Sequence, residues 1–411
     1  MYDLLRQRAS YLKYPAIEFT RDLVRTPSHS LKEQLVAKKI AQKMHELGYD
    51  QVIEDDYGNV VGIIYGLESE PCILLNSHMD TVSAVKSSSD WNLPPYEGVV
   101  WDDNLYGIGA ADCKSGIAAQ LYAGHLLKKL LLPLRGHLIV AVTVAEENGL
   151  SVGINYLCAK TLPSLGIKPN YAILGEPTNL CLYYGHDGWI GLDIDYNTPD
   201  IKYAWRTTQS LVKKMALNTR PDNYLPDLEV VSIHKPVYTF DKSDQHARVQ
   251  LEKRLFAGDN TDSIIDKIQG YALDTEKNYN GTQIDVKIRE EKQQLYNGKN
   301  IHVSYVINAW ETDPFSSLMD RSRQALITAG CKVKPGKWRL THLGMGTGGS
   351  VLTQKYHIPT IGYGPGDETQ AHECNEHVAV DNIVAAILGT AVIVQGLIGV
   401  PVFGWTSDID I

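Results

Sequence analysis

Short apolar runs that alternate with amphipathic helical repeats most limit the folds open to this chain. "NVVGIIYG" (59–66), "CILLNS" (72–77), "HLIVAVTVAEE" (137–147) and "NYAILGEP" (170–177) read as strands. "AIEFTRDLVRTP" and "LKEQLVAKKIAQKMHELG" place apolar residues at helical spacing and stop at Pro27 and Gly48. "KSGIAAQLYAGHLLKKLLL" is a further helix between two of the strands. This order predicts an α/β fold, with a mixed, mostly parallel sheet sandwiched by helices.

Near Asp187 the texture changes. "WIGLDIDYN", "EVVSIHKPVY", "ARVQLEKRL" and "TQIDVKIREE" alternate apolar and polar residues, as half-exposed antiparallel strands do. Two helical pieces, "AWRTTQSLVKKMA" and "TDSIIDKIQGYA", lie among them. The α/β texture then returns with "SSLMDRSRQALITAG", the glycine-rich "GMGTGGSV", "IPTIGYGPG" and "DNIVAAILGTAVIVQGLIG". Residues 1–186 and 311–411 therefore read as one domain, with an α+β domain of residues 187–310 inserted into it. A length of 411 residues supports two domains, because single cores usually split beyond roughly 250–300 residues.

A formal charge of -9 argues against nucleic acid or an anionic membrane as the main partner. The six cysteines are scattered without a C-x-x-C pair, which suggests reduced thiols and a cytoplasmic protein. The start of the sequence has no apolar core of a signal peptide. The apolar stretch 378–400 is interrupted by Asp381 and Asn382 and reads as an amphipathic core helix.

Functional residues of open α/β sheets gather at the carboxyl ends of strands. His78 and Asp80 follow "CILLNS", Glu146 and Glu147 follow "LIVAVTVA", and Glu176 follows "YAILG". Asp112 opens a helix after "YGIGAA", and His372 follows "IGYGPGDETQA". Singly, each has a plainer role, such as a helix cap at Asp112 or a solvated acid at Glu147. Together they put two imidazoles and up to five carboxylates at one rim, a set that repels itself without a cation. Zinc, or cobalt or manganese, suits such ligands better than calcium.

The motifs "LVRTPSHS", "SHMDTV", "PPYEGVVWDDNLYGIGAADCKSGIAA", "EEN", "GEPT" and "IGYGPGDETQAHECNEHV" follow one another in an order that resembles the zinc-dependent acetylornithine deacetylase / succinyl-diaminopimelate desuccinylase family. Aminoacylases and related carboxypeptidases belong to the same group. The resemblance implies a zinc-exopeptidase-like catalytic domain, a lid and dimerisation domain, and two divalent metal ions. It implies that His78 and Glu176 hold one ion, Glu147 and His372 the other, and that Asp112 bridges them. Asp80 is then expected to hold the second ring nitrogen of His78. Glu146 is expected to take a proton from the attacking water and pass it to the leaving amine.

The sequence departs from this family at three places. "GIG" with Ile108 replaces the usual "GRG", and "GHDG" with Asp187 replaces "GHRG". No histidine stands between Asp195 and Leu211, where the lid histidine that reaches the substrate carbonyl is expected. His234, His246, His302, Tyr203 and Arg206 are candidate substitutes. Arg254 and the main-chain NH groups of Gly346, Thr347, Gly348 and Gly349 are candidates for binding a substrate carboxylate. The expected activity is removal of an acyl group from a small N-acyl amino acid. The alternatives are cleavage of short peptides, or a metal-binding relative with little turnover.

Overall fold

The computed structural model describes residues 2–83, 90–148, 150–197, 246–276, 283–334 and 346–400. The segments expected at 204–216 and 229–238 lie outside these, as do Tyr203, Arg206, His234, the side chain of His246 and residues 198–211.

Three helices come first: α1 (Tyr2–Tyr11), α2 (Lys13–Val24) and α3 (Gln34–Glu46). Strands β1 (Gln51–Glu54), β2 (Val60–Ile64) and β3 (Cys72–His78) follow, then α4 (Ser115–Lys129), β4 (Leu138–Thr143) and β5 (Pro169–Leu174). The inserted part contains β6 (Gly188–Asn197), β7 (His246–Leu255), α5 (Thr261–Glu276), β8 (Gln283–Ile288), β9 (Glu290–Gln294) and β10 (Asn300–Ser304). The chain returns with α6 (Ser317–Thr328), β11 (Thr360–Gly362) and α7 (Val380–Ile398).

The six-stranded sheet runs β1-β2-β4-β3-β5-β11. Strands β4, β3, β5 and β11 are mutually parallel, while β2 lies antiparallel to both of its neighbours. Successive side chains of a strand point to opposite faces. Ile73 and Leu75 of β3 and Leu138, Val140 and Val142 of β4 therefore join the core on one face. Leu74, Ile139 and Ala141 join a second core on the other. Two apolar faces are why these strands read as unbroken apolar runs.

Helix α7 packs against α1, α2, α4 and α6. Every residue from Ala386 to Gln395 is buried. The expected core helix is thus buried on nearly every side, with exposure confined to its first turns and part of Gly396. Among the described residues it is the one helix apolar and long enough to cross a bilayer, and the core accounts for that composition.

Strands β7, β6 and β8 form an antiparallel sheet whose apolar residues pack with Ile268 and Ala272 of α5 in a separate cluster. "TQIDVKIREE", expected as one strand, is two. Residues up to Ile288 pair with β6, and those from Glu290 pair with β10. The β9–β10 hairpin places Leu295, Ile301 and Val303 in the main core. Its tip reaches the β1–β2 turn, where Tyr296 Oη donates to Glu54 at 2.9 Å and Lys299 Nζ to Asp56 at 3.0 Å. Within the interval 187–310, Leu295, Ile301 and Val303 of the hairpin thus pack with the main core and not with the β7-β6-β8 sheet.

Candidate metal centre

Strand β3 lies between β4 and β5, so the segments leaving their carboxyl ends emerge side by side. His78 is the last residue of β3, Glu146 and Glu147 follow β4, and Glu176 follows β5. Asp112 comes from the loop that enters α4. Its main chain is held by the buried carboxylate of Glu376, which accepts from the NH groups of Gly109, Ala111 and Asp112 at 2.8, 2.8 and 3.0 Å. His372, on the loop after β11, completes the group.

His78 Nε2 lies 3.0 Å from Asp112 Oδ1 and 3.8 Å from Glu176 Oε2. His372 Nε2 lies 2.9 Å from Glu147 Oε1 and 3.7 Å from Asp112 Oδ2. Ligand atoms of His78, Asp112, Glu176 and Cys113 all fall within 4.8 Å of one another, as do those of Asp112, Glu147 and His372. The two groups share Asp112. The Cys113 sulfur is engaged with the main chain of His78, accepting from its NH at 3.2 Å and donating to its carbonyl at 3.3 Å, and burial pushes the thiol up to about 12.

His78 Nδ1 is 3.0 Å from the main-chain carbonyl of Asp80, which can only accept. Nδ1 therefore carries a ring proton, and Nε2, which faces the carboxylates, is the nitrogen that would ligate once a cation displaced its own proton. The Asp80 carboxylate, expected at Nδ1, stands 3.6 Å from it and favours a protonated ring, and it also accepts from the Glu146 and Glu147 NH groups, each at 3.0 Å, and from Ser30 Oγ at 2.6 Å.

Burial opposes a charged ring at His78, yet Cys113, Asp112 and Asp80 raise its pKa well above the usual value. Burial also pushes Glu176 up to about 8 and raises Glu146 well above the carboxylate range, with neighbouring acids adding to both. Burial would lower His372, but Glu147 and Asp112 bring it to about 9. The metal-free site thus relieves its charge by retaining protons. Divalent cations would relieve it by displacing them, and the donor set fits two such ions sharing Asp112.

Glu146 is buried at the edge of both groups and joins neither, with Ser151 Oγ donating to it at 3.2 Å. Leu150, Ile307 and Gly346 complete the wall around a cavity of about 20 Å³, space for about one water. A Cβ on Gly346 would come within 2.4 Å of the Ile307 side chain, so a larger residue there has to displace Ile307. Thr347 NH and Gly349 NH are already spent, on His186 Nε2 at 2.9 Å and Thr347 Oγ1 at 3.2 Å. Gly348 sits beside Asn76 and Ile154, and of the four expected substrate contacts in this loop only Gly346 lines the cavity.

Arg254 does not line the cavity; it pairs with Asp187 at 3.2 Å, both largely buried. The acid that replaces the family's arginine thus meets an arginine from the next strand. His302 is exposed on the hairpin beside Glu290. Glu33, Ser30, His186 and Glu376 also shape this site although nothing in the sequence marks them out, each standing inside a patterned stretch: "LKEQLVAKKIAQKMHELG", "LVRTPSHS", "GHDG" and "IGYGPGDETQAHECNEHV".

The fold and the paired groups of ligands define a metallohydrolase with a dinuclear centre. The profile of Peptidase family M20/M25/M40 matches residues 74–395, and the chain belongs to that family, whose members hydrolyse amide bonds. It is 26% identical over 403 residues to the protein YgeY of Escherichia coli strain K12, covering 93% of this chain and 94% of that one. It is 25% identical over 321 residues to the [LysW]-lysine/[LysW]-ornithine hydrolase of Sulfurisphaera tokodaii, covering 77% and 78%. Among solved structures, Bacillus subtilis YXEP, described as a dinuclear metal binding peptidase of the M20 family, superimposes with a TM-score of 0.66 at 15% identity, over 94% of this chain and 98% of that one.

Proposed function

We propose that the chain removes the acyl group from a small N-acyl amino acid, as a member of the acetylornithine deacetylase / succinyl-diaminopimelate desuccinylase branch. The observation that carries this reading is Glu146, a buried carboxylate beside both ligand groups yet bound into neither. His78 and Glu176 would hold one ion, Glu147 and His372 the other, and Asp112 would serve both. When bound, the ions acidify the attacking water and polarise the amide carbonyl. Glu146 takes the proton of that water and delivers it to the departing amine. Burial and the neighbouring acids raise its pKa, the direction that helps it keep the proton until the amine departs. Asp80 fixes the turn that aims Glu146 and Glu147. Zinc is the proposed ion, with cobalt or manganese as substitutes, and a cytoplasmic homodimer is the proposed assembly.

The name of the Sulfurisphaera relative supports an amino acid on one side of the cleaved bond. A peptidase acting on short peptides is the second reading, favoured by the family itself. The test is a panel of acetylated and succinylated amino acids and dipeptides, assayed with zinc, cobalt and manganese. Faster hydrolysis of dipeptides than of every acyl-amino acid supports the second reading. Hydrolysis of neither removes both.

A further inference from the structure

We infer that Glu33 is a positioning residue that sets the second metal group by holding the turn at 145–148. The four consecutive NH groups of this turn are each taken by a buried or part-buried side chain. Ala145 donates to Glu33 Oε1 at 3.0 Å, Glu146 and Glu147 donate to Asp80 at 3.0 Å, and Asn148 donates to Ser30 Oγ at 3.3 Å. Ser30 Oγ also donates to Asp80 at 2.6 Å, so the segment before α3 braces the turn directly and through Asp80.

Glu33 is fully buried, and Oε1 also accepts from Leu31 NH at 2.9 Å. Leu31 and Ala145 are both non-glycine residues in left-handed backbone, with φ of 71° and 50°. One oxygen thus fastens two backbone positions that side chains disfavour. The left-handed Ala145 is what lets the next two side chains part, Glu147 toward His372 and Glu146 toward Ser151. Losing the Glu33 contact lets the turn relax and moves Glu147. His78, Asp112 and Glu176 stand on other segments and keep their places. The effect is therefore one-sided, confined to the group of Asp112, Glu147 and His372.

This inference rests on the two-ion reading, and cobalt(II) titration of the metal-free full chain tests both. Wild type binds two ions, with His78→Ala and His372→Ala identifying which is which. Glu33→Asp keeps the carboxyl group but shortens the reach. It is expected to weaken the His372 site about 10- to 100-fold and leave the other unchanged. Glu33→Gln keeps an acceptor oxygen at full reach and is expected to bind both ions as wild type does. Wild-type binding by Glu33→Asp, equal weakening of both sites, or a Glu33→Gln that behaves like Glu33→Asp overturns the inference and leaves the two-ion reading standing. A wild type that binds no cobalt overturns both. If Glu33→Asp does not fold, Ser30→Ala is expected to show the same one-sided loss, and an even loss there overturns the inference.

Discussion

Glu146 and Glu147 are neighbours in the chain with different surroundings, and their amide variants should separate. Glu146→Gln removes a proton carrier without removing a ligand. Metal analysis should find two ions retained, while kcat falls about 10²–10⁴-fold. Glu147→Gln should instead lose the ion at His372. Equal metal loss in the two variants would mean the pair is misassigned. The retained protons make a second prediction. Glu176 at about 8 and His372 at about 9 must be deprotonated before they ligate, so metal affinity should rise with pH through that interval. In the metal-free fold the raised Glu176 binds its proton more tightly than the unfolded chain does. Its contribution to stability is therefore full below the unfolded value and lost as pH rises through about 8. The gain in Tm on adding zinc should accordingly be larger at pH 8.5 than at pH 6.5, values chosen to bracket roughly this interval. A gain that shrinks over the same range would contradict the assignment.

Helix α4 and the β5 turn meet so closely that one position serves both packing and ligand placement. A Cβ on Gly116 would lie 1.9 Å from the carbonyl oxygen of Gly175, next to Glu176. Gly116→Ala should cost about 1–3 kcal/mol in unfolding experiments and weaken the His78 site, because relief comes by moving the Glu176 turn. The helices and central strands were legible in sequence, since apolar spacing reports which faces are buried. Strand β1, "QVIE", was not, because four half-exposed residues carry no period to read. The break at Arg289 was also hidden, since alternation continues while the pairing partner changes. The cluster of imidazoles and acids could be found because such residues at strand ends have few other uses together. Glu33 and Glu376 escaped because they act on main-chain NH groups, which every residue has. In sequence, a buried glutamate looks the same as a solvated one.

The β9–β10 hairpin ties the inserted sheet to the body through two kinds of contact, and they should differ in weight. Ile301 is buried in the main core, and Ile301→Ala should cost about 2–5 kcal/mol in a single cooperative unfolding transition. Lys299→Ala removes an exposed pair with Asp56, and thermal unfolding should barely register it at moderate salt. A large loss from the lysine and a small one from the isoleucine would place the anchor at the surface. Helix α7 and His372 have a further consequence, which concerns synthesis. On the ribosome, His78, Asp112 and Glu176 emerge early, while His372 and α7 follow only after the whole insert. At ~5–20 residues per second, roughly 10–40 s separate Glu176 from His372. A nascent chain can thus assemble one cation site well before the other. Throughout that delay the apolar side of α4 that later meets α7 stays uncovered, a surface for chaperones until translation reaches it.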